Sequence, residues 1–263
     1  MLDIYREAAR IIEDGERGAI ATIIGTTGST PGKETAKMLV RDDGTCLGTV
    51  GGGCTEADVR RLALEAIATD RTVRTSFRIT AATASETGLL CGGEFEVYIE
   101  PIGNPTVYIF GAGHIAGCLA PLLSNIEYRT VVVDDRETYA DPKRFPTADS
   151  VLVRDFSNAF EGFSIGPQSY VVVVTRGHHH DETVLEQAVA TDAGYIGIIG
   201  SRGKIGAILK NLRGRGVDKG VLESVRGPIG LDIGSKTPQE IAISIAAELI
   251  AVRRGRDAGA RNG

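Results

Sequence analysis

Val107-Tyr108-Ile109-Phe110-Gly111-Ala112-Gly113-His114-Ile115-Ala116 governs how the second half of this chain is read. An apolar run passes into Gly-x-Gly-x-x-Ala and then into a helical pattern. In a strand–turn–helix unit the first glycine permits the tight turn and the second lets backbone approach a pyrophosphate. The small third position lets the helix pack closely on the strand. The helix start adds N–H donors and a partial positive charge. The stretch therefore predicts a nucleotide or other phosphate-bearing cofactor at Gly111 and Gly113, with His114 opening the helix. Asp134 closes the next strand about 20 residues on, where a ribose-binding acid belongs.

Around this stretch, strands are predicted at 106–110, 129–133, 150–153, 170–174 and 195–199, and helices at 113–124, 181–192, 203–214 and 237–253. Strands made almost wholly of Val and Ile are buried on both faces, as parallel strands are. Their alternation with helices predicts an α/β, Rossmann-like, doubly wound parallel sheet. Loops at the carboxyl ends of such strands face the ligand crevice. Thr175-Arg176-Gly177-His178-His179-His180-Asp181 and Gly200-Ser201-Arg202 are two of them, which makes Arg176, His178, Ser201 and Arg202 candidate cofactor-binding residues. Asp181 is expected to cap a helix beginning at Glu182. Three consecutive histidines in an extended loop splay apart, so they read against a shared metal ion, and ligand contact falls to Arg176 or His178. The sequence leaves any directly bound metal unknown.

The first half is a different fold. A helix over 3–13, a strand over 19–24, a hairpin from Met38 to Val50, a helix over 56–68 and strands over 71–79 and 94–100 predict a smaller α+β domain. Pro101-Ile102-Gly103-Asn104-Pro105 blocks a continuous helix and sets the boundary, giving domains 1–103 and 104–263. Gly51-Gly52-Gly53-Cys54-Thr55-Glu56 runs from a strand into a helix, and a cysteine there has a depressed pKa. Glu56 suits the positive end of the helix. Cys91-Gly92-Gly93 repeats the pairing of thiol and glycine, so Cys54, Glu56 and Cys91 are candidates for ligand binding or sulfur handling. Gly28-Ser29-Thr30-Pro31-Gly32-Lys33 lacks the Lys-Ser/Thr end of a P-loop.

Composition narrows the classes. The net charge is −5 and the sequence pI about 5.5, which argues against a nucleic-acid partner. No apolar run approaches the ~20 residues that span a bilayer, so no membrane partner is expected. The N-terminus lacks a signal-peptide core, and a soluble cytoplasmic protein is expected. Cys46, Cys54, Cys91 and Cys118 include no CxxC pair and read as reduced, buried thiols. Near the C-terminus, Thr237-Pro238 predicts a helix start, and positions 241, 244, 245, 248 and 249 a core stripe. The tail 253–263 is expected to be disordered.

Several motifs resemble those of the XdhC/CoxI family, accessory proteins of molybdenum hydroxylases such as xanthine dehydrogenase. In the first half they are Gly28-Ser29-Thr30-Pro31, Lys37-Met38-Leu39-Val40, Gly48-Thr49-Val50-Gly51-Gly52-Gly53-Cys54-x-Glu56 and Cys91-Gly92-Gly93. In the second they are Ile109 to His114, Thr175 to His178 with Asp181, Gly197 to Arg202, and Pro228 to Gly234 followed by Thr237-Pro238-x-Glu240-Ile241-Ala242. Many members carry an arginine after the first motif's proline. Here Gly32-Lys33 keeps the charge without the planar two-pronged contact. The resemblance implies a chaperone that binds the molybdenum cofactor (molybdopterin), assists its sulfuration with a cysteine desulfurase, and inserts it into a molybdenum hydroxylase apo-enzyme. It implies no catalytic residue of the chain's own. The cofactor's phosphate then suits Gly111–Ala116 with Arg176 and Arg202, and its sulfur-rich metal end suits Cys54 or Cys91. A homodimer is expected as the commonest assembly. The alternative is an NAD(P)-dependent oxidoreductase, in which Asp134 favours NAD by repelling a 2′-phosphate. Against it, no Tyr-x-x-x-Lys or comparable acid/base pair follows the last strand of the sheet, at 195–199. A nucleotide-sensing module without chemistry is the third reading.

Overall fold

The computed structural model describes residues 2–30, 32–78 and 93–256. The chain separates into two compact units, Met1–Asn104 and Pro105–Gly263.

The first unit is built on an antiparallel sheet. Helix α1 (Leu2–Asp14) leads into strand β1 (Gly18–Thr27), followed by β2 (Lys37–Arg41), β3 (Cys46–Gly48), helix α2 (Gly53–Thr69), β4 (Val73–Arg78) and β5 (Glu94–Ile102). The order across the sheet is β3-β2-β1-β5-β4. Strand β1 lies in the middle, with Ala21 opposite Met38 on one side and Ile99 on the other. Alternation along β1 gives each helix its own face. Ala19, Ala21 and Ile23 pack with Val59, Ala63 and Ala66 of α2. Ile20 packs on the other side with Ile4, Ala8 and Ile11 of α1. The β2–β3 hairpin closes through Asp42-Asp43-Gly44, where Gly44 has φ 80 and donates to the Arg41 carbonyl at 2.9 Å. Helix α2 begins three residues before the expected Glu56, directly on the glycine run.

The second unit is the predicted α/β sheet. Its strands are β6 (Thr106–Phe110), β7 (Arg129–Asp134), β8 (Ser150–Val153), β9 (Ser169–Val173) and β10 (Tyr195–Ile198). All pairings among them are parallel, in the order β10-β9-β6-β7-β8. Helices α3 (His114–Asn125), α4 (His178–Ala188), α5 (Arg202–Gly214), α6 (Lys219–Ser224) and α7 (Pro238–Arg253) surround it. Odd and even residues of β6 enter different cores. Val107 and Ile109 meet Leu119, Leu123, Ile245 and Leu249 of α3 and α7. Tyr108 and Phe110 meet Val184, Leu185, Ile205 and Ile208 of α4 and α5. Helices therefore cover both faces, which is why these strands read as continuous apolar runs.

Two expectations need correction, and three fall outside what is described. Helix α4 begins at His178, with Gly177 (φ 90) as its N-cap, so Asp181 lies in its first turn and is not the cap. Cys46 is exposed and Cys118 half-buried, and neither is in a disulfide. Cys91 and residues 257–263 of the tail lie outside the described residues, as does the side chain of Cys54. Helix α7 starts as expected. Thr237 accepts from the Glu240 amide, and Glu240 bonds back to the Thr237 amide, completing a capping box. No helix among the described residues is long and apolar enough to cross a membrane.

Candidate functional site

The strand order reverses between β6 and β9, and in open α/β sheets the ligand crevice lies at that reversal, beyond the carboxyl ends of the strands. Gly111 follows β6 there. Its φ is 108, and a Cβ on it would come within 2.4 Å of the Val174 carbonyl oxygen. Only glycine fits, because the chain leaving β9 presses on the turn. Gly113 is different. Its φ is −79, an ordinary extended conformation, and a Cβ there would meet nothing within 4 Å. The fold does not demand a glycine at 113. The bare backbone leaves open space at the start of α3, whose N-cap makes no side-chain hydrogen bond. Helix starts of this kind are where anions bind in proteins. His114, the first residue of α3, is exposed beside that space.

Asp134, at the end of β7, braces this turn from below. Its carboxylate accepts from the Ala112 amide (2.8 Å), the Arg136 amide (3.1 Å), Arg136 Nε (2.8 Å) and Arg136 Nη2 (3.0 Å). The side chain is 1% exposed. Burial alone raises its pKa, but the hydrogen bonds from Arg136 and the two amides outweigh that and hold it below the usual 3.8. The next residue, Asp135, receives Arg176 from the loop after β9 at 2.5 and 2.7 Å, and Arg176 also stands 3.9 Å from Asp134. The structure thus brings together Gly111, Gly113, His114, Asp134 and Arg176, predicted from separate motifs.

The other two loops are fixed by a buried ion pair. Asp181 is fully buried and accepts from Thr175 Oγ1 and Lys204 Nζ. It ties the end of β9 to the first turns of α4 and α5. His178 is exposed at the start of α4, while the His180 ring packs 5.2 Å from Phe156. Ser201 caps α5 by accepting from the Lys204 amide at 3.3 Å, and Arg202 is exposed after it. No group of three or more His, Cys, Asp or Glu able to hold a metal occurs among the described residues.

Sequence reasoning missed the segment after β7. Arg136 lies over the Tyr139 ring at 3.5 Å, and Arg144 lies 4.9 Å from the same centroid. Arg144 Nη1 donates to the carbonyls of Ala112 (3.2 Å) and Tyr139 (2.8 Å), which fixes a guanidinium beside the glycine turn. These residues lie in irregular chain and a short 3-10 turn, with no periodicity to mark them.

In the first unit the predicted residues form a separate cluster. Gly51, Gly52 and Gly53 have φ of 127, 76 and 69, so all three positions need glycine. The Gly51 amide donates to Thr49 Oγ1 (3.1 Å), and Thr49 and the Gly52 amide donate to Glu56 Oε2 (2.7 and 2.9 Å). Glu56 thereby locks the turn that leads into α2, with Cys54 in that helix's first turn. Gly53 and Glu56 line an open cleft of about 660 Å³ with Cys46 and Arg60 on its wall.

Comparisons with known proteins agree with this architecture. Residues 107–249 match the XdhC Rossmann domain, and residues 11–78 match the XdhC and CoxI family. The Escherichia coli (strain K12) protein named "Uncharacterized protein YqeB" is 32% identical over 260 residues, covering 98% of this chain and 48% of that protein. The chain thus spans about half the length of this relative. A Bacillus subtilis (strain 168) protein, named as a probable subunit of xanthine dehydrogenase, is 24% identical, covering 93% of this chain and 96% of its own. A crystal structure of a protein named as a xanthine dehydrogenase, from Bacillus halodurans, shares the fold. Its TM-score is 0.53 at 24% identity, over 98% of both chains. With both matched segments in place around the two glycine turns, the chain belongs to the XdhC and CoxI family.

Proposed function

We propose that this protein is an accessory factor of a molybdenum hydroxylase such as xanthine dehydrogenase. It binds the molybdenum cofactor, takes part in its sulfuration with a cysteine desulfurase, and hands it to the apo-hydroxylase. The observation that carries the reading is the Gly111–Gly113 turn, set at the strand-order reversal of a family Rossmann domain and open where Gly113 lacks a side chain. The name of the Bacillus subtilis relative supports the choice of hydroxylase.

In this reading the turn and the first amides of α3 hold the cofactor's phosphate, and Gly113 gives it room. His114, His178 and Arg202 stand exposed at the carboxyl edge as further contacts, and Ser201 orders α5 behind Arg202. Asp134 and Asp181 keep the turn and the loop carrying Arg176 in place. When bound, the cofactor supplies the molybdenum–sulfur chemistry that the hydroxylase uses. In the first unit Glu56 fixes the glycine turn so that Cys54 enters α2 in its first turn, where the helix dipole favours a thiolate. Cys54 and Cys91 are the thiols proposed to handle sulfur. The working assembly is proposed to be a cytoplasmic homodimer.

The test is anaerobic incubation of the purified chain with molybdenum cofactor, gel filtration, and oxidation of the eluted protein to the fluorescent pterin. Pterin co-eluting with the parent, and lost or undelivered in Cys54→Ala or Cys91→Ala, is the expected result. Full retention and delivery by both variants would remove the cysteines from the account. The second reading, an NAD(P)-dependent oxidoreductase, is favoured by the same strand order and glycine turn. Hydride turnover by the purified protein, with no pterin retained, would establish it instead.

A further inference from the structure

The carboxylate of Asp134 has no site left for a ribose. An ionised carboxyl offers about four lone-pair positions. Here the Ala112 amide, the Arg136 amide and two Arg136 side-chain nitrogens donate to it. Two ribose hydroxyls would have to displace Arg136, leaving a buried carboxylate and a guanidinium both unpaired. A neutral diol does not repay that loss.

The charges around it point to a different ligand. Arg136 is neutralised by Asp134, and Arg176 by Asp135. Arg144 has no acidic partner among the described residues, yet it is fixed, because two carbonyls accept from its Nη1 and its guanidinium faces the Tyr139 ring. Its Nε and Nη2 make no hydrogen bond among the described residues. The Tyr139 ring has Arg136 close on it and Arg144 beside it, and of the two only Arg144 lacks an acidic partner among the described residues. One of the two carbonyls is that of Ala112, within the glycine turn itself.

We propose that Arg144 is a ligand-binding residue and that it selects a ligand carrying a phosphomonoester beside this turn. Such a group carries about two charges at neutral pH, where a bridging phosphodiester carries one. Arg144 presents its unused Nε–Nη2 edge to it, in the forked geometry guanidinium groups offer to phosphates. The inference deepens the proposed function, since it rests on the turn binding a phosphate-bearing cofactor. Two sources offer that chemistry: the side-chain phosphate of a pterin with no nucleotide attached, and the 2′-phosphate of a phosphorylated dinucleotide.

The test uses the full chain and two matched pairs of probes in equilibrium binding. One pair is the fluorescent oxidised pterin of molybdopterin before and after phosphatase treatment, and the other is NADP⁺ and NAD⁺. In at least one pair the phosphomonoester-bearing member should bind about tenfold or more tightly than its partner. Arg144→Gln, which removes the charge and keeps a polar side chain, should abolish that preference. If the variant misfolds, the parent's pH series serves, with the preference growing between about pH 5 and pH 7 as the monoester gains its second charge. Preference for NADP⁺ with no pterin binding would sustain the phosphomonoester site and remove the molybdenum-cofactor reading. Pterin binding that ignores the phosphate would do the reverse. Equal binding within both pairs, no binding at all, or a preference that survives Arg144→Gln would overturn the inference.

Discussion

The two glycine turns read alike in the sequence and differ in what they need glycine for. In Gly51–Gly53 all three residues have positive φ, and side chains from the same segment, Thr49 and Glu56, take up the amides of Gly51 and Gly52. That turn is closed upon itself and serves to start α2. At Gly111–Gly113 only the first glycine is demanded by the backbone, and the brace, Asp134, comes from the neighbouring strand. Gly113 has ordinary backbone and empty space where a side chain would stand. A glycine that folding does not require is evidence for something else that needs the room.

Substitutions separate the two turns. The largest effect is expected from Gly111→Ala, which combines a left-handed φ with a Cβ placed 2.4 Å from a carbonyl oxygen. It should destabilise the second unit by about 3 kcal/mol or more in chemical denaturation. A loss below about 1 kcal/mol would mean that the turn yields more easily than its geometry implies.

Asp134→Asn comes next, because it leaves Arg136 unpaired and weakens the hold on Ala112. A loss of about 2 kcal/mol is expected at pH 7. The sign of its pH dependence is fixed by the depressed pKa of the parent carboxyl. That stabilisation is present above the unfolded value of about 3.9 and is lost as pH falls through the lower folded value. Parent and variant should therefore differ by a constant amount from neutrality to about pH 4 and converge below it. Melting curves across that range check it, and a gap that does not narrow as pH falls below about 4 would contradict the assignment.

Glu56→Ala is expected to have the smallest effect. It frees the Gly52 amide and the Thr49 hydroxyl at a half-buried position, costing about 1 kcal/mol in the first unit. The stability of the second unit should be unchanged, and a parallel loss there would break the distinction between the turns.

Much of the second unit was legible in the sequence, for a physical reason. Strand β6 ends where its apolar run does, because a strand buried on both faces carries an unbroken signal. The start of α4 was misread because Asp181 resembles an N-cap, whereas Gly177 turns the chain and Asp181 is drawn inward by Lys204. The glycine turn and Arg176 were visible as motifs, but Arg144 was not. It reaches the turn from irregular chain, through bonds to backbone carbonyls that no spacing rule encodes. Asp134 was recognised by position, and only its donors show that it faces the protein.

Gly113→Ala puts the proposed phosphate site to its sharpest test, by comparing pterin retention with thermal melting in the same variant. The expected result is an unchanged melting temperature, since the new methyl meets no protein atom within 4 Å, together with loss of about nine-tenths of the co-eluting pterin. Retention equal to the parent's would show that the space beside Gly113 is not where the cofactor's phosphate lies.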